Sequence, residues 1–322
     1  MDFSTPVEIT GFNKKLTYND RIMLLGSCFA ESIGCKLLDR KFLTDINPLG
    51  IIYNPVSLLN SIEILKNNKN FTKNDLFEEN GIWKSFYHHS RFCHSDMNTT
   101  LKNINERIIF SSEFIRKTSF LFLTLGTAWV FEHKESGKVV SNCHKGPASN
   151  FNHRLLSVDE TFKTLKSIVE ITKNINPGCT LIFTLSPVRH LKNGAHGNQL
   201  SKAVLTVAIQ KLQETFPEIQ YFPAYEILLD ELRDYRFYAD DMIHPASLAI
   251  EYIWEKLCSA FMNKETLETM KEIENIHKAV QHRPLFPNTK AHQNFKKALT
   301  LKICELENKH TFLHFQEEEK SL

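Results

Sequence analysis

The chain has 322 residues, of which 42% are hydrophobic and 24% charged, proportions typical of a soluble globular enzyme. Its 39 basic and 37 acidic residues leave a net charge of +2, which argues against a nucleic-acid or anionic-membrane partner. No apolar stretch approaches the ~20 residues of a membrane span, and no basic region followed by an apolar run opens the chain, so no signal peptide is expected. The seven scattered cysteines form no C-x-x-C pair and predict reduced thiols in a cytoplasmic protein.

Short apolar runs alternate with longer helical patterns along most of the chain. Strands are predicted at residues 21–25, 43–46, 118–125, 179–185 and 219–222. Helices are predicted at residues 30–40, after Ser157, and at 198–216 and 246–261. Continuous apolar runs indicate parallel strands that are covered on both faces. The alternation predicts a three-layer α/β/α sandwich with a mainly parallel five-stranded sheet, in the strand order 2-1-3-4-5.

Two segments fall outside this alternation. Residues 66–107 are polar, and we expect them to form a long irregular insert over one edge of the sheet. After about Met262 the sequence predicts two charged amphipathic helices, at 264–282 and 290–308, on either side of Pro284–Pro287. The expected organisation is an α/β domain over residues 1–262 and a C-terminal helical extension over 263–322, packed on or beside it.

A serine follows the first predicted strand and precedes the first predicted helix. Ser27 lies in the sequence GSCFA at residues 26–30, and the carboxyl edge of an open α/β sheet is where such folds bind ligands. Backbone N–H groups at the start of the helix could face a developing oxyanion. An N-cap serine is the alternative interpretation, and the short motif does not decide between a cap and a nucleophile.

A second motif lies near the end of the α/β region, in the sequence YADDMIHPA at residues 238–246. A serine hydroxyl is a poor nucleophile until an imidazole accepts its proton, and the imidazole needs a carboxylate to fix its tautomer. Asp241 and His244 could supply this carboxylate and base from one short loop. A D-x-x-H pattern alone is common as a helix cap with a surface histidine, but its pairing with the Ser27 junction is more specific.

In these residues the chain resembles the GSCFA family, within the SGNH/GDSL esterase superfamily. The pentapeptide at residues 26–30 spells the family name. Further motifs that resemble the family are NPLGIIYNP at 47–55, LTLGTAW at 123–129, NCHK at 142–145, SPVR at 186–189 and DMIHP at 241–245. The motifs follow one another in order over roughly residues 20–260, and the resemblance implies an SGNH/flavodoxin-like fold.

The resemblance also implies roles for individual residues. Ser27 would be the nucleophile, His244 the general base and Asp241 its orienting carboxylate. Gly50 lies where superfamily enzymes supply a backbone N–H to the oxyanion hole. The third superfamily motif usually adds an asparagine amide, but this chain has Gly-Thr-Ala-Trp at residues 126–129 and lacks it.

Three residues are candidates for the missing oxyanion donor. Asn142 is the predicted replacement, Thr127 the second candidate and Asn54 a weaker one. An ordinary role for Asn142 in a turn remains an open alternative.

The predicted function is a serine esterase that acts on a small-molecule or carbohydrate ester and requires no metal or organic cofactor. Analogy with the superfamily suggests an O-acetylated carbohydrate as substrate. The cluster His88-His89…Cys93-His94 lacks a second pair with zinc-ligand spacing and favours a solvated loop. An O-acyltransferase with the same triad and a non-catalytic binding protein with the same fold are the alternatives.

Overall fold

A computed structural model describes residues 5–10, 12, 14–282, 285–286 and 289–320. The expectation of no signal peptide concerns residues 1–4 among others, and these lie outside the described residues. Pro284 and Pro287 also lie outside them. The strands in the described part are β1 (Ile22–Gly26), β2 (Thr44–Ile46), β3 (Phe77–Glu79), β4 (Ile82–Lys84), β5 (Phe120–Leu125), β6 (Trp129–His133), β7 (Lys138–Val140), β8 (Phe151–Leu155), β9 (Thr180–Leu185) and β10 (Gln220–Phe222). The helices in the same part are α1 (Cys28–Asp39), α2 (Pro55–Lys66), α3 (Met97–Ile115), α4 (Val158–Ile175), α5 (Gly194–Thr215), α6 (Ala224–Glu226), α7 (Ser247–Phe261), α8 (Lys264–Gln281), α9 (Lys290–Lys309) and α10 (Gln316–Lys320).

The predicted five-stranded parallel sheet is confirmed. Its spatial order is β10-β9-β5-β1-β2, and each neighbouring pair is parallel. Counted along the chain, these strands have the predicted order 2-1-3-4-5. In the register of β1 with β5, Gly26 pairs with Thr124, so the residues that follow these strands lie side by side at the carboxyl edge of the sheet.

Helices cover both faces of the sheet, which explains the continuous apolar runs in the strands. In β1, Ile22 and Leu24 pack with α1 and α7, whereas Met23 and Leu25 pack with α2, α3, α4 and α5. All four side chains are buried, and burial of each stabilises the fold by about 1.5–3 kcal/mol. The three-layer α/β/α architecture is therefore confirmed.

The start of α4 shows how local sequence fixes a helix end. Ser157 Oγ accepts a hydrogen bond from the Glu160 N–H at 3.1 Å, and the Glu160 carboxylate accepts one from the Ser157 N–H at 2.8 Å. These two hydrogen bonds provide acceptors for two backbone N–H groups at the start of the helix, which have no acceptor within the helix itself.

The prediction of an irregular insert at residues 66–107 is wrong for its last part, residues 97–107. From Met97 the chain is helical, and Asp96 caps α3 by accepting a hydrogen bond from the Thr99 N–H at 2.7 Å. The polar residues that suggested a loop form the outer face of this helix, while Ile104 and Ile108 reach the core. The antiparallel sheet of β7, β6 and β8 was also not predicted, because polar residues such as Glu132, Asn152 and Arg154 interrupt the apolar runs of its two longer strands.

The C-terminal helices α8 and α9 form an apolar cluster of their own. Its buried members are Ile273, Ile276, Leu299, Ile303, Leu306, Leu313 and Phe315. Ion pairs join Arg40 to Glu274 of α8 and Lys41 to Glu318 of α10, both at 2.6 Å, and so connect these two helices to the residues that follow α1. The boundary at residue 262 stays a prediction. No helix in the described ranges combines the length and the apolarity needed to cross a membrane.

Candidate active site

The candidate nucleophile lies where β1 meets α1. Gly26 has a φ of +145°, and a Cβ on it would lie 2.2 Å from the carbonyl oxygen of Thr124, so this turn requires glycine. Ser27 is the N-cap of α1, and its Oγ accepts a hydrogen bond from the Phe29 N–H at 3.3 Å. Ser27 is therefore an N-cap, as the alternative interpretation proposed, because its oxygen accepts this hydrogen bond. Its hydroxyl group donates to a different residue.

Ser186 accepts a hydrogen bond from the hydroxyl of Ser27. Ser27 Oγ donates to Ser186 Oγ at 2.9 Å, and both residues are buried, with 1% and 0% of their surface exposed. Ser186 directly follows β9, and its Oγ also accepts a hydrogen bond from the Val188 N–H at 3.2 Å. Among the described residues, no hydrogen bond joins Ser27 Oγ to His244, so the nucleophile candidate is held against Ser186.

A buried lysine holds the backbone beside this pair. Lys202 Nζ donates to the carbonyl oxygens of Ser186 at 2.6 Å and of Gly126 at 2.8 Å. It thereby joins the segments that follow β5 and β9. Burial lowers the pKa of Lys202 to about 7, because an apolar environment disfavours the charged amine.

Asp241 and His244 form a hydrogen-bonded pair on one loop. His244 Nδ1 lies 2.6 Å from Asp241 Oδ2, and Asp241 Oδ1 accepts from the N–H groups of Ile243 and His244, each at 2.9 Å. These hydrogen bonds, the one with the His244 side chain first, lower the pKa of Asp241 to about 2. About half of each side chain is exposed, 49% for His244 and 47% for Asp241. The structure thus brings the predicted base and its predicted orienting carboxylate together.

The segment after β9 connects the two halves of the candidate triad. Ser186 contacts Ser27, and Arg189, three residues later, donates its N–H to the Ile243 carbonyl oxygen at 3.1 Å. The Arg189 guanidinium also donates to the Met242 carbonyl oxygen at 3.2 Å. One short loop therefore contacts the serine and fixes the position of the Asp241–His244 loop.

Gly50 also occupies a position that only glycine fits. Its φ is +89°, and a Cβ on it would lie 2.1 Å from the Cβ of His89. The Gly50 N–H donates to the Asn47 carbonyl oxygen at 2.8 Å, and the Ser27 N–H donates to the Thr124 carbonyl oxygen at 3.2 Å. Both predicted backbone oxyanion donors therefore have acceptors within the protein.

Two predicted side-chain donors, Thr127 and Asn54, are buried and hydrogen-bonded elsewhere. The Thr127 hydroxyl lies 2.8 Å from Ser201 Oγ. Asn54 caps α2, accepting from the Ser57 N–H and donating to Ser57 Oγ, each at 2.9 Å. The structure gives both residues structural partners in place of an open position in the site.

Asn142 is partly exposed and lies close to the segment that carries Gly50. Its Oδ1 accepts a hydrogen bond from the His144 N–H at 2.8 Å, which is the turn role considered as the alternative. Its Nδ2 donates to Ser90 Oγ at 3.2 Å, and Ser90 follows the residue that packs on Gly50. The amide donor of Asn142 thus has the longest hydrogen bond of the three side-chain candidates.

His190 also belongs to the site, although the sequence did not single it out as a donor. Its Nε2 would lie 2.8 Å from a Cβ on Gly126, and its ring centroid lies 5.0 Å from that of Tyr53. Nε2 is buried and has no hydrogen-bond partner among the described residues. Burial, followed by the charges of Lys202 and His244, lowers the pKa of His190 to about 4. His190 is therefore neutral near pH 7.

The histidine and cysteine cluster of the N-terminal half has structural contacts. His88 is buried with Nδ1 3.0 Å from Ser85 Oγ, and burial lowers its pKa to about 3. Cys93 Sγ lies 3.7 Å from His144 Nδ1. Within the ranges that the structure describes, no group of three or more His, Cys, Asp or Glu side chains could hold a metal ion.

Surface depressions do not by themselves mark the site. A cavity of about 190 Å³ borders the Asp241–His244 loop and is lined by Arg189, Tyr235 and Tyr238 among others. A larger one of about 500 Å³ lies at the opposite edge of the sheet, where β9 and β10 begin. The larger cavity lacks the hydrogen-bonded serine and histidine groups, so the candidate site is the carboxyl edge.

Two of the site residues that the sequence analysis missed have signals in the sequence. Ser186 follows an apolar strand as Ser27 does, and this similarity alone could have identified it. Lys202 lies between Asn198 and Leu205 at spacings of four and three residues, which places a lysine on the buried face of α5. The sequence does indicate a loop at the rim of the active site for His190, because it lies with His196 in a stretch that contains Gly and Asn. Its exact position depends on the path of that loop.

Solved structures with a similar arrangement include several esterases at low sequence identity. A carbohydrate esterase family 3 protein from Talaromyces cellulolyticus is 9% identical, with a TM-score of 0.38 over 79% of this chain and 99% of that one. A putative acylhydrolase from Bacteroides fragilis NCTC 9343 is 12% identical, with a TM-score of 0.38 over 80% and 91%. An acetyl xylan esterase from Butyrivibrio proteoclasticus is 10% identical, with a TM-score of 0.43 over 79% and 66%. No functionally curated protein matches the sequence significantly.

The family comparison covers most of the sequence, including Ser27, the loop after β9, and Asp241 with His244. Residues 21–257 match the GSCFA family, and residues 273–322 match the C-terminal domain of GSCFA domain proteins. The strand-to-helix serine and the late Asp-His loop thus lie within one family match, and the chain belongs to the GSCFA family.

Proposed function

We propose that this protein is a serine esterase of the SGNH type, with Ser27 as nucleophile, His244 as general base and Asp241 as its orienting carboxylate. The observation that carries the proposal is that the loop after β9 contacts both Ser27, through Ser186, and the His244 loop, through Arg189. This loop connects the serine to the histidine–carboxylate pair at one edge of the sheet. Acyl transfer requires in addition that His244 comes within hydrogen-bond reach of Ser27 Oγ.

The proposed reaction begins with attack of Ser27 Oγ on the acyl carbonyl. Asp241 Oδ2 accepts the Nδ1 proton of His244 and so leaves Nε2 free to accept the serine proton. For this transfer the Ser27 hydroxyl turns its proton from Ser186 to His244. The imidazolium then protonates the leaving alcohol, and the neutral imidazole activates water to hydrolyse the acyl-enzyme.

We propose that the amide of Asn142 stabilises the oxyanion. The N–H groups of Ser27 and Gly50 donate to the carbonyl oxygens of Thr124 and Asn47, so each would contribute only after leaving that acceptor. The 3.2 Å hydrogen bond from Asn142 Nδ2 to Ser90 Oγ is partly exposed. A substrate oxygen could replace Ser90 as its acceptor with little change to the core, whereas Thr127 and Asn54 would have to break buried hydrogen bonds. An amide in this place would perform the role of the asparagine that the third family motif lacks.

The proposed substrate is a small-molecule ester, with an O-acetylated carbohydrate as the first class to assay. The proposed steps use only side chains and backbone groups of this chain and include no metal or organic cofactor. An O-acyltransferase would use the same residues with a sugar hydroxyl in place of water, so product analysis with and without an added acceptor separates the two.

A fluorophosphonate probe tests the proposal directly, because it reacts with activated serines. The wild-type protein should be labelled, and peptide mapping should locate the label on Ser27. Ser27→Ala should abolish labelling, and His244→Ala should slow it by at least about 10³-fold. Melting curves of each variant control for unfolding. Labelling of another serine, or of none, would refute the assignment.

A further inference from the structure

Ser186 is in direct contact with the oxygen atom that attacks the substrate in the proposed reaction. Its Oγ lies 2.9 Å from Ser27 Oγ and accepts the Ser27 proton. The Val188 N–H donates to the same Ser186 oxygen at 3.2 Å. A hydroxyl has two acceptor lone pairs and one donor proton, so with both lone pairs engaged the proton of Ser186 is the part that can respond to a change at Ser27.

The backbone of Ser186 is fixed on both sides. Its N–H donates to the Leu125 carbonyl oxygen at 2.8 Å, and its carbonyl oxygen accepts from Lys202 Nζ at 2.6 Å. Ser186 itself is fully buried. A buried lysine is costly unless its donors are satisfied, and Lys202 directs two of them to Gly126 and Ser186. Lys202 is therefore a positioning residue for the Ser186 hydroxyl.

We propose that Ser186 is a further catalytic residue, which donates its hydrogen bond to Ser27 Oγ once Ser27 has turned its own proton towards His244. This inference rests on the proposed esterase function. The shared hydrogen bond reverses direction, while Ser186 keeps its covalent proton throughout. The Ser27 O–H bond breaks and a new N–H bond forms on His244. A bond forms between Ser27 Oγ and the acyl carbon as the carbonyl π bond breaks and its electron pair moves to the oxyanion.

The reversed hydrogen bond stabilises negative charge where the reaction creates it. As the proton leaves, the Ser27 oxygen becomes partly anionic, and a hydrogen bond to an anionic acceptor is roughly twice as strong as one between neutral groups. The same donor assists deacylation, in which Ser27 Oγ leaves the acyl carbon and regains its proton from His244. Because both groups are buried, water does not compete for this hydrogen bond.

A purely restraining role for Ser186 predicts the opposite effect of mutation. If Ser186 only held the Ser27 proton away from His244, its removal would free the nucleophile and accelerate the reaction. If Ser186 donates to the developing oxyanion of Ser27, its removal slows the reaction. The sign of one rate change therefore distinguishes the two roles.

The test measures fluorophosphonate labelling of Ser27, and kcat and KM on a small acetyl ester, in Ser186→Ala and Ser186→Cys. Ser186→Ala should lower both kcat and the labelling rate, by up to about 10²-fold with little change in KM, as for loss of one oxyanion donor. Ser186→Cys keeps the volume and a weak donor and should fall between alanine and wild type. Ser112→Ala is the matched control, because Ser112 is a buried serine on α3 whose hydroxyl has no partner in the described part of the chain.

The outcomes separate this inference from the function on which it rests. Wild-type protein that neither labels nor hydrolyses esters overturns the proposed function, and the role of Ser186 with it. Active wild-type protein whose Ser186→Ala or Ser186→Cys variant reacts at the wild-type rate or faster overturns the role of Ser186 alone. If Ser186→Ala fails to fold, judged by its melting curve, the labelling rate of Ser186→Cys decides.

Discussion

The guanidinium of Arg189 lies over the ring of Tyr238, 3.9 Å from its centroid. Tyr238 begins the loop that carries Asp241 and His244, and it also bridges to Pro245 just after them. This contact and the hydrogen bond from Arg189 to the Met242 carbonyl oxygen fix the loop at its start and again between Asp241 and His244. Arg189 thus controls where the imidazole lies without touching it.

We expect Arg189→Ala to lower kcat by up to about 10²-fold, because a displacement of the base by about 1 Å has effects of that size. The melting temperature should change little, since the loop is exposed. Steady-state kinetics with a small acetyl ester would measure the effect. Arg236→Ala is the control, because Arg236 is an exposed arginine of the same region; equal kcat values for the two variants would contradict the positioning role.

Ser27→Ala and His244→Ala should each abolish nearly all esterase activity, and the double variant should lose little more than either single one. The reason is that the two residues serve one proton transfer, and members of such a unit are not additive. The check is a double-mutant cycle on kcat/KM. Losses that multiply would mean that the two residues act in separate steps.

Asn142→Ala should lower kcat by about 10²–10³-fold with little effect on KM, the usual cost of losing one oxyanion donor. Asn142→Asp sharpens the test, because it keeps an acceptor for the His144 N–H while it removes the amide donor. Both variants should slow fluorophosphonate labelling. Wild-type kcat in both variants, with loss in Thr127→Ala or His190→Leu, would assign the donor to that residue instead.

The buried Lys202 should make stability depend on pH in the alkaline range. Burial lowers its pKa from 10.5 in the unfolded chain to about 7 in the fold, so between these values the unfolded chain binds more protons. Stability therefore rises as pH increases from 7 towards 10.5, and the cost of the buried charge is present in full below pH 7.

Lys202→Met removes this titration, and its free energy of unfolding should rise less with pH than that of the wild type. Urea denaturation at several pH values measures the difference. Lys211→Met, at an exposed lysine paired with Asp159, should leave the wild-type slope unchanged. An unchanged slope in Lys202→Met would show that Lys202 is not buried as a neutral or costly amine.

The central sheet could be predicted because its strands are covered on both faces and therefore read as unbroken apolar runs. The run at Phe120–Leu125 is an example, since it contains one polar residue, Thr124. The helix α3 could not be predicted in the same way. Its exposed surface carries Ile109 and Phe110, so apolar residues occur on both faces and the helical spacing of apolar residues is not clear in the sequence. Only tertiary packing shows which face is buried.

In the candidate site, too, the sequence indicates the local contact and not the one that depends on tertiary structure. Asp241 and His244 are three residues apart, so their hydrogen bond is a local property that the sequence can indicate. The contact between Ser27 and Ser186 depends on the order of strands in the sheet and on two strand-to-loop turns. Which atom receives the Ser27 proton is therefore decided by tertiary structure, and the sequence pattern contains no direct sign of it.

The distance along the chain between the contacting serines has a consequence for folding. Ser27 and Ser186 are separated by 159 residues, and β5 lies between β1 and β9 in the sheet. Each parallel neighbour needs a crossover connection before it can pair. Contacts of long sequence separation form slowly, because the chain loses the entropy of loop closure before the stabilising contacts form. The hydroxyl pair can therefore assemble only after three strands have docked, so we expect a nascent or partly refolded chain to form local helices before the contact between Ser27 and Ser186.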